Sequence, residues 1–199
     1  MDSVFKSAVA ALILTVGLAG SVVAGAFEDG TDAAESGDYE TAMRLWRPLA
    51  DQGDATVQNL VGQMYREGTG VPQDYAAAMG WYQKAADQGN APAQFNLGFM
   101  YFNGLGVAQD YAAALSWYRR AADQGNTAAQ LNLGVMYLQG EGVPRDYVSA
   151  YMWFNLAAAA IPAVEFPNVA AAYRDEVAQK MTSEQVAEAQ RLAREWKPR

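Results

Sequence analysis

The sequence predicts an all-α fold, a right-handed α-solenoid of stacked antiparallel helix pairs that ends in a C-terminal capping helix. The first observation behind this prediction is a period, because tyrosine recurs every 36 residues at Tyr39, Tyr75, Tyr111 and Tyr147. The second is that similar short motifs follow these tyrosines, and the third is that 51% of the chain is hydrophobic. One helix pair cannot bury both of its apolar faces, so neighbouring pairs are expected to stack.

Residues 1–26 have the composition of a secretory signal. No charge lies between Lys6 and Glu28. The stretch combines a lightly positive start, an apolar centre and a final Ala24-Gly25-Ala26, which together are typical of a cleaved signal peptide. We therefore expect cleavage after Ala26, export to a bacterial periplasm or the cell exterior, and no stable membrane insertion afterwards. The alternative is an uncleaved signal that anchors the chain, since the uncharged run is long enough to span a bilayer.

The remainder of the chain is expected to form a cap, four repeats and a second cap. The boundaries are an N-terminal cap at 27–38, repeats at 39–74, 75–110 and 111–146, a divergent fourth repeat at 147–181, and a C-terminal capping helix at 182–199.

Each repeat is predicted to contain two helices. The first follows an aspartate N-cap and places tyrosine, alanine and tryptophan on one face. A glycine ends it, a second helix such as Pro92–Phe102 follows, and two further glycines turn the chain back. Within the second helix, Gly98 is expected to allow close approach of a neighbour. The residues with these roles are Asp74, Asp110 and Asp146 at N-caps, Gly89 and Gly125 at helix ends, and Gly104 and Gly106 in the return turn.

The fourth repeat departs from the pattern. It lacks the Gln-Gly turn and has an insertion at 157–168 with two prolines, before a helix resumes near Asn168. The sequence does not predict the conformation of this insertion. Thr182 and Gln185 then fit a capping box at the start of the last helix. The apolar face of that helix is predicted to comprise Val186, Ala189, Ala193 and Trp196.

Several linked motifs recur over residues 38–160. Asp-Tyr-Ala-Ala-Ala occurs at Asp74–Ala78 and Asp110–Ala114, and Asn-Leu-Gly-x-Met-Tyr at Asn96–Tyr101 and Asn132–Tyr137. With the Gly-x-Gly-Val turns, this combination resembles the Sel1-like repeat family, a branch of the tetratricopeptide-like solenoids. The first repeat departs from the family pattern, because Leu60 stands where the next two repeats have asparagine.

The composition argues against several classes of function. The net charge is −8, whereas nucleic-acid binding requires a basic face. The chain has no cysteine and no histidine, so a thiol nucleophile and the commonest general base and metal ligand are missing. The Gly-x-Gly stretches follow helices instead of strands, which favours turns over phosphate loops. No pair of acids forms a recognisable hydrolase motif. We therefore predict neither an enzyme nor a cofactor or metal site.

A set of basic and amide residues on the first helices is the candidate partner-binding site. In tetratricopeptide-like solenoids the first helices line the concave groove, so the resemblance implies a ladder of polar groups there. The predicted site comprises Arg44, Arg47, Lys84, Arg119, Arg120 and Asn155. An alternative interpretation is structural, because cations late in a helix complement its dipole. Asp51 and Asp123 also lie four residues after Arg47 and Arg119, a spacing that permits local ion pairs.

The expected function is that of an exported scaffold whose groove binds a protein or peptide of the cell envelope, with an acidic or carboxylate-ended segment as the hypothesised ligand. The alternative is a cell-wall-associated protein that binds or hydrolyses peptidoglycan-like or β-lactam compounds. Some cysteine-rich Sel1-like proteins are linked to such activity, but their cysteine pattern is absent here. Sugar binding predicts exposed aromatic rings in the groove, whereas peptide binding predicts exposed Arg, Lys and Asn. Neither the partner nor the oligomeric state follows from the sequence.

Overall fold

The computed structural model describes residues 25–160 and 168–199. Residues 1–24 of the predicted signal and residues 161–167 of the predicted insertion lie outside the described residues. The described chain is all-α, with helices in stacked pairs and no strand within these ranges. The helices are α1 (described from 25 to 35), α2 (Tyr39–Asp51), α3 (Ala55–Glu67), α4 (Tyr75–Asp87), α5 (Ala91–Asn103), α6 (Tyr111–Asp123), α7 (Thr127–Gln139), α8 (Tyr147–Ala160), α9 (Val169–Ala178) and α10 (Ser183–Glu195).

Short polar side chains fix where the helices begin. Asp74 and Asp110 each accept a hydrogen bond from the backbone N–H three residues on, at 2.9 Å, and Asp146 accepts from Val148 and Ser149. These bonds satisfy donors that a helix start otherwise leaves unpaired, and they confirm the predicted N-caps. The second helices α5 and α7 begin in the same way, with Asn90 and Asn126 as caps.

Glycines end the helices by adopting the left-handed conformation. Gly89 and Gly125 both have φ of +87°, and Gly104 ends α5 with φ of +68° while its N–H donates to the Met100 carbonyl. A residue with a Cβ is strained in this region, which explains why glycine recurs at each of these turns. The predicted helix ends and return turns are confirmed.

The chain forms two compact units, Met1–Trp81 and Tyr82–Arg199, with the boundary inside α4. The core of the first unit is made by α2 and α3 together with Trp81. Residues of α1 pack on this core, and the Trp46 indole N–H donates to the Phe27 carbonyl at 3.3 Å. The predicted N-terminal cap segment is therefore helical up to residue 35, although its helix signal is weak in the sequence.

In the second unit, small residues bring consecutive helices close together. A Cβ built on Gly98 would lie 2.6 Å from the ring of Tyr118, and one on Gly134 would lie 2.5 Å from the ring of Phe154. Each glycine of a second helix thus receives an aromatic ring from the next first helix. The close approach predicted at Gly98 is confirmed.

Helix α10 completes the second unit. Thr182 and Gln185 form the predicted capping box. Ala189 and Ala193 are buried, and the Gln190 amide donates to the Tyr151 hydroxyl at 3.2 Å, which fastens α10 to α8. Within the described residues, no helix has the length and hydrophobicity needed to cross a membrane.

Candidate binding surface on the first helices

One position of the 36-residue period supplies a polar side chain to every first helix. It is occupied in turn by Arg47, Gln83, Arg119 and Asn155, on α2, α4, α6 and α8. Three of these four are predicted site residues. Gln83 was not predicted, although the period alone could have indicated it, because it lies 36 residues from both arginines.

The first unit holds what we name the Arg47 cluster, formed by Arg47, Asp51, Tyr65 and Trp81. The Arg47 Nε lies 3.2 Å from Asp51 Oδ2, and its Nη1 donates to the Tyr65 hydroxyl at 3.2 Å. Its Cζ lies 5.0 Å from the centroid of the Trp81 ring. The Arg47 side chain is 46% exposed, so the guanidinium is positioned on its neighbours while remaining in contact with solvent.

The second unit holds the corresponding Arg119 cluster, formed by Arg119, Asp123, Tyr137 and Trp153, each 72 residues after its counterpart. The Arg119 Nη2 donates to the Tyr137 hydroxyl at 2.6 Å, and its Cζ lies 5.0 Å from the centroid of the Trp153 ring. Arg119 is half-buried and Trp153 is 1% exposed. A tyrosine hydroxyl and a tryptophan ring thus contact an arginine in both units, and in the first unit an aspartate pairs with it as well.

The other predicted residues lie nearby on the same helices. Arg120 is exposed, with its Cζ 4.4 Å from the Trp117 ring centroid. Lys84 is exposed at the equivalent position of α4, and Asn155 is half-buried on α8. Arg44 is exposed one turn before Arg47. Its charge helps to lower the pKa of Asp38, which is lowered mainly by the hydrogen bond from the Thr41 backbone N–H.

The contacts of the two arginines bear differently on the partner-binding and structural interpretations. The local ion pair forms at Arg47 and Asp51, as the structural alternative predicts. Arg119, by contrast, contacts Tyr137 on α7 and Trp153 on α8. The tyrosines were missed as site residues, although their recurrence 18 residues after each arginine is visible in the sequence. Trp81 and Trp153 are buried, as expected of rings on the shared apolar face of the first helices, whereas Trp117 is half-buried.

Both clusters hold a guanidinium group against aromatic side chains. Guanidinium groups fixed on aromatic rings can present N–H donors to carboxylate or carbonyl oxygens. Within residues 25–160 and 168–199, no three or more acidic side chains are grouped so that they could hold a metal ion.

Stacked helix pairs with a strict internal period define an α-solenoid repeat protein. The Sel1 repeat model matches residues 23–54, 55–90, 91–126 and 127–160. The chain therefore belongs to the Sel1 repeat family, as its motifs predict. The matched segments begin at the second helix of a pair, whereas the sequence division at 39, 75 and 111 begins at the first.

Two solved structures are similar to the chain. A Sel1 repeat protein from Oxalobacter formigenes is 32% identical with a TM-score of 0.65, over 84% of this chain and 74% of that protein. A protective antigen present in uropathogenic Escherichia coli strains, which displays an SLR fold, is 28% identical with a TM-score of 0.60 over 87% of this chain. The chain spans only 45% of the length of that antigen. No curated protein matches the chain.

Proposed function

We propose that this chain is an exported, non-catalytic scaffold that binds a protein or peptide of the cell envelope through its first helices and thereby assembles or regulates it. The observation that carries the proposal is the pair of arginine clusters, each built from the same contacts at the same repeat position. In both, a guanidinium is held by a tyrosine hydroxyl and an indole ring.

Holding an arginine in this way favours binding. A free arginine loses much side-chain entropy when it grips a ligand, whereas one already stacked on a ring loses less. Arg119 has five N–H donors, and its hydrogen bond to the Tyr137 hydroxyl engages one nitrogen. A carboxylate or a main-chain carbonyl suits such donors, which supports a peptide ligand with an acidic or carboxylate-ended segment.

The aromatic rings support peptide over sugar. Sugar stacking requires an open ring face, but Trp81 is 7% exposed and Trp153 is 1% exposed. Both rings face an arginine guanidinium. Because these ring faces are occupied, the accessible groups of the clusters are polar side chains. This favours the scaffold over the cell-wall-associated alternative.

Affinity capture from envelope extract tests the proposal. Residues 27–199 are used as bait beside an Arg119→Gln/Arg120→Glu variant, in which glutamine copies the residue that α4 carries at the same position. A charge-reversed Arg174→Glu/Lys180→Glu bait, changed on α9 and in the turn after it, serves as the α9 control, because these residues pair locally with Asp175 and Glu176. Envelope proteins held by the wild type and the α9 control, and lost by the α6 variant, would support the scaffold.

The segment recognised is then mapped on peptide arrays of the captured protein, where acidic or carboxylate-ended peptides are expected to bind. If the α6 variant captures the same proteins as the wild type, the arginine surface is not the binding site. If none of the baits holds protein while purified cell-wall fragments bind to all of them, the cell-wall-associated function replaces the scaffold.

A further inference from the structure

Residues 196–199 leave α10 as an extended segment that packs on the Arg119 cluster. Trp196 ends the helix with φ of −64° and ψ of 138°, close to polyproline II geometry. Pro198 restricts Lys197 to extended conformations as well. A short segment of this kind costs little entropy to hold straight, which is why proline-containing strands are common peptide ligands.

The segment is held by the two kinds of contact that a bound peptide would use. The Trp196 ring packs edge-to-face on Trp153 with centroids 6.3 Å apart. The Arg199 backbone N–H donates to the Asp123 carbonyl at 2.7 Å. Asp123 is the last residue of α6, where carbonyl groups have no partner within the helix and are therefore available to a ligand.

The segment also lines a cavity of about 320 Å³ together with Arg119 and Asp123. The remaining lining residues are Glu195, Trp196, Lys197, Pro198 and Arg199. The volume is in the range of small ligand pockets. Trp153, whose ring contacts Trp196, belongs to the cluster proposed to bind a partner, and its indole N–H makes no hydrogen bond within the described part of the chain.

We propose that residues 196–199 are an internal ligand of the Arg119 cluster, and that a partner must displace them with an extended, carboxylate-ended segment that carries an aromatic residue and, two positions later, a proline. This inference rests on the proposed function and specifies its ligand. An internal ligand lowers the apparent affinity of a competitor by the fraction of time for which the site is open. With one ring contact and one hydrogen bond, we expect roughly a tenfold reduction.

Disulfide trapping tests whether the segment is docked, with no partner required. The chain has no cysteine, so an Asp123→Cys/Arg199→Cys variant carries the only pair. The main-chain hydrogen bond between these positions places their Cα atoms within the roughly 4.4–6.8 Å that a disulfide spans. The control is Asp87→Cys/Arg199→Cys, at the preceding repeat position. We expect a crosslinked monomer from the first variant and reduced thiols in the control.

Peptide binding then tests whether the segment competes. The probe is a labelled peptide with the sequence of residues 192–199, measured by fluorescence anisotropy against the intact chain, a chain ending at Glu195, and the crosslinked variant. We expect saturable binding to the shortened chain, about tenfold weaker binding to the intact chain, and almost none to the crosslinked form until it is reduced. A peptide with alanine in place of its tryptophan should not bind the shortened chain. Circular dichroism checks that all forms are folded.

Three results would overturn the inference. The first is a failure of the Asp123→Cys/Arg199→Cys pair to crosslink, and the second is a crosslinked dimer, which would assign the segment to the surface of a second copy. The third is equal or absent binding of the probe by the shortened and intact chains. Each leaves the scaffold proposal standing, because that proposal depends on capture by the arginine surface. Capture of the same proteins by the wild type and by the Arg119→Gln/Arg120→Glu variant would instead count against the proposed function.

Discussion

The Arg47 and Arg119 clusters have the same sequence pattern but different surroundings. Arg47 is paired with Asp51 and is exposed, whereas Arg119 is less exposed. The Trp153 ring that Arg119 contacts also contacts the Trp196 ring. In both clusters the arginine contacts a tyrosine hydroxyl and a tryptophan ring. The period therefore produces two equivalent clusters, and the segment after α10 packs on the one around Arg119.

This comparison distinguishes contacts that every repeat forms from contacts that depend on the place of the repeat in the chain. The contacts within a repeat and to the next helix follow from residues that recur. The ion pair of Arg47 with Asp51, and the packing of residues 196–199 on the Arg119 cluster, instead depend on the particular neighbours of each cluster.

The largest expected effect comes from the tryptophan beneath each arginine. Trp153→Ala should lower the free energy of unfolding by about 3–5 kcal/mol, because it empties a fully buried site. Trp81→Ala should lower the free energy of unfolding by about 0.5–1.5 kcal/mol less than Trp153→Ala does. The reason is that Trp153 also contacts the aromatic ring of Trp196. Urea denaturation followed by circular dichroism gives both values.

Removing residues 196–199 sharpens this first comparison. In a chain that ends at Glu195, Trp81→Ala and Trp153→Ala should lower the free energy of unfolding by more similar amounts. If the difference between them is unchanged by the truncation, the Trp196 contact contributes nothing to the stability of the second cluster.

A smaller effect is expected at a glycine beside each cluster. Gly98 meets the ring of Tyr118, the neighbour of Arg119, so Gly98→Ala should destabilise the protein by about 1–2 kcal/mol through overpacking, net of better helix propensity. Gly80 precedes Trp81 on α4 and has open space around it, so Gly80→Ala should stabilise by about 0.5–1 kcal/mol. Thermal unfolding should show shifts of opposite sign, and a stabilising Gly98→Ala would contradict the tight packing of α5 on α6.

The smallest effect is expected at the arginines themselves. Arg47→Gln should cost well under about 1 kcal/mol, and the cost should shrink in high salt because the ion pair with Asp51 is exposed. Arg119→Gln should cost about 1 kcal/mol with little salt dependence, since it loses a bond to Tyr137 and a contact with a buried ring. Urea denaturation at low and high ionic strength measures both costs. Equal salt dependence would show that the two arginines are held in the same way.

Most of the fold could be predicted from the sequence because its determinants are local and repeated. Asp74 and Asp110 bond to a backbone N–H three residues away, and Gly89 and Gly125 adopt a conformation that other residues avoid. Such interactions require the same residue at the same position of each repeat, so the pattern can be recognised within a single sequence. The helical state of residues 25–35 was harder to predict, because α1 has no recurring counterpart and depends on packing against Trp46.

The candidate site could be predicted only in part. Arg47 and Arg119 were identified by their charge and place on the first helices, but Tyr65 and Tyr137 were not identified as their partners. The ladder of all six predicted residues stays a prediction, as do the export signal and the repeat boundaries. Contacts that join different helices require relative positions of those helices, which the sequence pattern does not supply.

The period, the helices, their caps and the membership of the Sel1 repeat family all follow from the amino-acid sequence. They do so because helix starts, helix ends and apolar faces depend on residues within a few turns of each other. Only the tertiary structure decided which arginine contacts which ring, and that residues 196–199 return to α6. The Arg199 N–H and the Asp123 carbonyl are 76 positions apart in the chain, and no local preference brings them together. Their contact results from the packing of α10 on α8, which directs the chain back over the Arg119 cluster.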